Sequence, residues 1–438
     1  MHTTAMGIRA FMSADRLVFL LNRFRERLWI KPLIVCLLSI AAVFAAKIAD
    51  TSGFANLAPI VTAGSIESLL KVMASSMLVI ATFAVGSMVS AYATASGTAT
   101  PRAFRLVVAD DVSQNALSTF IGAFIFSLVA LTAVMNDFFA RAGRFSIFVL
   151  TLLVFGLVIF TFVRWVDRIA RLGRLETAVA KVESATANAM RQRQRAPRLC
   201  GVACDEGSGD GQPIYSDDVG YVQHVDMAAL QACAQSVGAR LMLVAVPGTF
   251  VAPGQALVHI RPSRKGDAAI NVVAVRKAFM IGAERYFDND PRFGLIVLSE
   301  IAGRALSPGI NDPGTAIGII GAVVRLLVLW SQAPGPEQGD AADQPSYDRI
   351  EVPVLSVHDM FDDAFTSIGR DGAPMVDVSL RLQKSLASLA MLPDPVMRQA
   401  AARHARMALA RCESAMSLPL DLERVRHAVA FAQAPAAN

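Results

Sequence analysis

Apolar residues crowd the first third of the chain into four long runs, residues 33–49, 72–96, 116–134 and 145–163, separated by short polar connections. A helix needs about 20 mostly apolar residues to cross the hydrocarbon of a bilayer, and only a helix or a closed barrel satisfies its backbone there. The pattern therefore predicts a four-helix transmembrane bundle. Past residue 163 no run is read as long enough to cross, and helical and strand-like periods follow one another as in a water-exposed domain. The expected fold class is an α+β membrane protein: an N-terminal four-span bundle, then a cytoplasmic α+β domain with a small β part resembling a barrel-sandwich and a helical C-terminal part.

Within that frame the expected segments are a basic N-terminus (1–32), the four-span domain (33–163), an amphipathic stalk helix (164–196), a linker (197–212), a small β-rich subdomain (213–275) and a mainly helical domain (276–438). The stalk carries Leu175, Val179, Val182 and Met190 at helical spacing, and Pro197 ends it. In the β-rich part, strands are expected at residues 221–225 and within 240–260, where Pro247-Gly248 and Pro253-Gly254 mark turns, with a short helix at 227–236. No Lys sits at a hairpin tip to carry biotin or lipoate, so the barrel-sandwich likeness concerns fold alone. Further on, helices are expected at 293–306 and from Pro313 to about Leu329, a polar linker at 334–344 and a strand at 350–357, with Gly372 and Asp394-Pro395 as helix punctuation.

Composition supports a membrane protein and little else. The 438 residues are 54% hydrophobic and 18% charged, with a mean hydropathy of +0.46, too apolar for an ordinary soluble enzyme. The net charge of +5 sits largely beside the runs and reads as orientation signal and lipid contact, so no nucleic-acid partner is expected. Arg9, Arg16, Arg23, Arg25, Arg27 and Lys31 precede the first run, Arg102 and Arg105 follow the second, and Arg164, Arg168, Arg171 and Arg174 follow the fourth. The connection at 50–65 has no Lys or Arg. Both termini are therefore expected on the cytoplasmic side of the membrane; a cleaved signal peptide is a weaker rival, given so long a region before the first run.

Two places attract attention as sites. In the second run Ser76, Gly86, Ser87, Ser90 and Thr94 form a polar face, with Gly86, Ser90 and Thr94 four apart. Close helix packing and the lining of a polar pathway both explain it; no ionisable residue lies mid-span to mark a proton route. The second place is the helix corner at residues 299–316, where Glu300 and Arg304 are four apart, Asp312 can cap the next helix, and Ser307, Asn311 and Thr315 lie close by. It reads as a well-capped hairpin or as a pocket for a small anionic ligand at a helix N-terminus. Asp288 and Asp290 could hold a divalent ion with Glu300, but a solvated turn capping the following helix explains them as well.

Other chemistry finds no support. His2, His224, His259, His358, His404 and His427 are scattered, the Cys200/Cys204 pair lacks nearby His, and the glycines at 207, 209 and 211 lie among acidic residues with no Lys-Ser or Lys-Thr after them. No cofactor is expected, and an enzyme is not the favoured reading.

The run Glu300-Ile-Ala-Gly-Arg304-Ala-Leu-Ser-Pro-Gly-Ile-Asn-Asp-Pro-Gly-Thr-Ala316 resembles the signature of a family of predicted bacterial membrane proteins, domain of unknown function 2254. Phe279, Ile281 and Gly282 ahead of it, Ser75-Ser76-Met77 with Pro101-Arg102, and Gly248-Thr249-Phe250-Val251 with Gly254 extend the resemblance over nearly the whole chain; relatives favour an acidic residue where Thr249 stands. The resemblance implies four spans and a cytoplasmic domain and brings no function with it. The expectation is a homo-oligomeric channel or transporter-like protein gated by its cytoplasmic domain, or alternatively a membrane-anchored module binding an anionic ligand or lipid headgroup. A metal-dependent membrane enzyme comes third.

Overall fold

The computed structural model describes residues 29–51, 59–98, 100–108, 111–172, 174–204, 211–261, 270–332 and 346–433. Arg9 to Arg27 of the basic segment and the polar linker at 334–344 lie outside the described residues. Contacts divide the chain into two units, one within Leu17–Ala178 and one within Val179–Asn438.

The first unit is all helix: α1 (Ile30–Ile48), α2 (Ala63–Thr98), the short α3 (Pro101–Val108), α4 (Asp111–Met135) and α5 (Arg141–Leu172). α4 packs against α1, α2 and α5 and so forms the middle of the bundle. The inward stripe centres on Trp165, which meets the buried Phe120 at 6.2 Å and the half-buried Phe162 at 6.0 Å between ring centroids, while the exposed ring of Phe83 flanks it at 6.1 Å. Outward positions carry large apolar side chains in the open, among them Leu38, Val79 and Leu153. That inverted surface, apolar on both faces, needs hydrocarbon rather than water around it.

A polar clip closes one end of the bundle. The Asp50 carboxylate accepts the Ala140 N–H at 2.8 Å and the Gly143 N–H at 2.6 Å, at the start of α5, and pairs with Lys47 at 3.4 Å. The orphan amides of one helix are thus capped by a side chain from the end of another. Gly143 is required there, because a Cβ would sit 2.6 Å from the same carboxylate.

The second unit is mixed. α6 (Leu175–Arg195) leads into it, followed by β1 (Gly201–Val202), β2 (Gln212–Tyr215), β3 (Gly220–Val225), α7 (Met227–Ser236), β4 (Arg240–Leu243), β5 (Phe250–Val251), β6 (Ala256–Arg261), α8 (Val272–Lys277) and β7 (Phe279–Gly282). Then come α9 (Pro291–Ala305), α10 (Pro313–Ser331), β8 (Tyr347–Glu351), α11 (Val357–Asp371), α12 (Val376–Ala390), α13 (Pro395–Ala415), α14 (Pro419–Ala428) and α15 (Ala430–Gln433). The strands make a five-stranded sheet, β1-β8-β4-β6-β2, and a three-stranded one, β5-β3-β7. Both feed one core in which Leu230, Leu241, Val222, Val258 and Ile350 are sealed from solvent. β1, β7 and β8 come from outside residues 213–275, and β8 runs parallel to both β1 and β4.

The expectation that no later run could cross a bilayer is corrected here. Among the described residues five helices are long and apolar enough to do so, and the fifth is α10, Pro313–Ser331. Length and composition alone do not place it in lipid: α10 packs between α9 and α12, and Ala316, Ile319, Ile320, Ala322, Val323, Leu326 and Leu327 are buried against them. Its exposed Arg325 forms a two-pronged bond with Glu183 of α6, at 2.7 and 2.8 Å.

Candidate functional site

The helix corner is built by capping. α9 ends at Leu306; the Ser307 hydroxyl donates to the Arg304 carbonyl at 2.6 Å, and the Ser307 carbonyl accepts from Asn311 at 2.9 Å. Asn311 adopts a left-handed φ of +50°, a region its short polar side chain tolerates better than most. Asp312 then caps α10, one carboxylate oxygen accepting the Thr315 N–H at 3.0 Å and the other its hydroxyl at 2.6 Å. These bonds hold the Asp312 carboxyl below the usual carboxylate range, the Thr315 hydroxyl contributing most. The anion position at this helix N-terminus is therefore filled by the chain's own carboxylate. Glu300 and Arg304 are half-buried on the last turns of α9, and Asn311 is exposed. The corner brings Ser307, Asn311, Asp312 and Thr315 together as a turn.

The turn before α9 is not the solvated one expected. Asp290 is only 5% exposed: it caps α9 through Phe293 N–H at 3.1 Å and takes a two-pronged bond from Arg285 at 2.7 and 2.9 Å. Burial nonetheless pushes its carboxyl up. The Arg285 guanidinium lies 5.4 Å from the Phe293 ring centroid and 5.9 Å from that of Tyr221. Gly248, at φ +93°, touches this carboxylate so closely that a Cβ would collide with it. Arg193 of α6 is buried as well, its pKa lowered to about 10 by loss of solvent despite the field of Asp290. Sequence reasoning missed Arg193 as part of this cluster, because an Arg on an amphipathic helix normally marks the wet face. Asp288 is exposed. Among the described residues, no three His, Cys, Asp or Glu side chains converge as a metal site would require.

The polar face of α2 has a different setting. Gly86, Ser87, Ser90 and Thr94 line an open groove of about 600 Å³, completed by Phe83, Ala91, Ile169 and Arg174. A Cβ added at Gly86 would meet nothing within 4 Å, so within the unit this stripe does not serve helix packing. The Thr94 hydroxyl donates back to the Ser90 carbonyl at 3.1 Å, as hydroxyls in apolar helices do. Ser76, two turns or more earlier, is exposed and lies outside the groove.

The profile of the predicted membrane proteins grouped as domain of unknown function 2254 matches residues 25–388, spanning the bundle, both sheets and the corner. The chain belongs to this family. Uncharacterized proteins of Mycobacterium bovis and Mycobacterium tuberculosis are 32% identical over 114 residues, which is 25% of this chain and 22% of each relative. The chain thus aligns with about a fifth of the length of these curated relatives. No solved structure gives a significant match. In this family member the corner closes its polar residues into a turn, whereas the α2 groove is open.

Proposed function

We propose that this protein works as a homo-oligomer in the bacterial inner membrane, moving a small solute along the hydroxyl-bearing face of α2 under control of its C-terminal unit. The supporting observation is the groove: Gly86, Ser87, Ser90 and Thr94 face open space within the unit instead of a neighbouring helix, and polar faces in hydrocarbon are costly unless protein, water or a polar ligand meets them. Four spans, α1, α2, α4 and α5, form the membrane part, while α10 belongs to the core of the C-terminal unit. In this reading the shared end of α2 and α5, and both termini, are cytoplasmic, a choice supported by the excess of basic residues there, Arg102, Arg105, Arg164, Arg168 and Arg174.

The alternative, an anionic ligand or headgroup held at Glu300, Arg304, Ser307, Asn311, Asp312 and Thr315, has less to stand on, since the Asp312 carboxylate occupies the helix N-terminus such a ligand would use. The test is reconstitution of the full chain in vesicles with a panel spanning inorganic ions, uncharged osmolytes and labelled phospholipids. Transport of at least one class, abolished by Ser90→Leu in a protein that still folds, is expected; no transport above protein-free vesicles of any class refutes the proposal.

A further inference from the structure

We infer that the α2 groove takes an anionic phospholipid, its headgroup at Arg174 and one acyl chain lying along Gly86 and Phe83. The inference rests on the reading of this face as the working face and names what occupies it. Its first ground is length. From Phe83 to Thr94 is eleven residues, about 16 Å of helix at the usual rise, and half of a hydrocarbon core of about 30 Å is one leaflet. The groove is therefore as long as one acyl layer.

Its second ground is a gradient of chemistry along that length. Phe83 packs against Trp165, and α2 and α5 then advance together, so that Thr94 and Arg174 mark one end of the groove and Phe83 the other. One end offers the exposed ring of Phe83 and the bare backbone at Gly86; next come Ser87 and Ser90; the end at the bundle's arginine-bearing side offers Thr94 and an exposed guanidinium. Among the described residues no carboxylate lines it. A hydrocarbon tail, an ester region rich in acceptors and a phosphate match this order, and a guanidinium favours phosphate over a neutral or zwitterionic head. A free inorganic anion would gain nothing from the apolar end at Phe83 and Ile169.

The experiment uses the full-length protein in vesicles containing either phosphatidylglycerol or phosphatidylcholine with a photoreactive acyl chain, followed by mapping of the labelled peptide. Labelling of α2 around Gly86 by phosphatidylglycerol is expected to exceed that by phosphatidylcholine by about five-fold, the preference one basic residue gives at an anionic surface. Arg174→Gln should bring the two lipids level. Gly86→Leu, which meets no neighbour in the unit, should suppress labelling by both, and excess inorganic phosphate should not compete. Equal labelling in the native protein, competition by phosphate, or crosslinks from Gly86 to a second copy of the chain would each overturn the inference. Ion or osmolyte flux with no lipid preference would remove the inference and leave the transport proposal standing; lipid capture at Gly86 with no transport of any class would do the reverse.

Discussion

Gly294 of α9 lies against Thr186 of α6, and substituting alanine there sets two opposed effects against each other. Alanine is favoured over glycine inside a helix by about 1 kcal/mol, so on an open face the change would stabilise. At Gly294 the added Cβ would overlap the Thr186 hydroxyl and come within 2.7 Å of both its Cβ and Cγ2. Thr186 is fully buried and its hydroxyl is tied to the Val182 carbonyl at 2.6 Å, so a rotamer change offers little escape and the helices must separate. Overpacking of this kind costs typically about 1–3 kcal/mol, and with three atoms in conflict the upper end applies. Net of propensity, Gly294→Ala should destabilise by about 2 kcal/mol, and thermal unfolding of the purified full chain should fall by about 4–8 °C. Thr186→Gly alone should also destabilise, through a cavity and a helical glycine. Together the two should cost less than either alone, because the alanine methyl fills the space that threonine vacates. The coupling energy from this double-mutant cycle should be about 3 kcal/mol, well above the few tenths expected for independent sites. A Gly294→Ala protein that melts at or above the parent, or strict additivity in the cycle, would refute the close approach of α6 and α9.

Three further outcomes are expected. Asp50→Ala removes the acceptor for two backbone N–H groups at the start of α5 and should cost about 1–3 kcal/mol in detergent unfolding; an unchanged midpoint would mean the clip contributes nothing. Gly248→Ala combines a strained φ of +93° with collision against the Asp290 carboxylate and should cost about 2–4 kcal/mol, read as early melting or proteolysis of the C-terminal unit, whereas the same change at Gly86 should be tolerated. His404 is 3% exposed beside Asp362 and burial lowers its pKa, so the unfolded chain takes up a proton that the native state refuses. Its contribution is present above the ordinary histidine range and is lost as pH falls through the lowered value, at about 1.4 kcal/mol per pH unit at most. Melting measured between about pH 7.5 and about pH 5.5 should show that slope in the parent and a flatter one in His404→Phe; equal slopes would contradict it.

What could be read without coordinates was whatever local chemistry decides. α7 begins where Asp226 caps it through Ala229 N–H, α13 begins after Asp394 caps Val396 with Pro395 in the first turn, and α11 stops at Gly372: short-range bonds write their own punctuation. The reading of the later runs as too short to cross passed over α10, whose length and apolarity suffice for a span; lipid and a protein core ask the same of a helix. The corner's residue types were legible, but the reason for Asn311 was not, since a left-handed φ is a property of the closed turn. The Arg285, Asp290 and Gly248 cluster joins residues about forty apart, and the parallel pairing of β8 beside β4 joins residues over a hundred apart; no periodicity carries such information.

β8 also dictates when the C-terminal unit can become a folded object during synthesis. Until Tyr347–Glu351 has left the ribosome, β4 has β6 on one side and an unfilled hydrogen-bonding edge on the other. A nascent chain ending before that strand presents a ready template for intermolecular pairing. Cutting the molecule between its strands and its later helices would therefore yield an insoluble fragment rather than a minimal domain, and any soluble truncation has to carry the chain through Glu351.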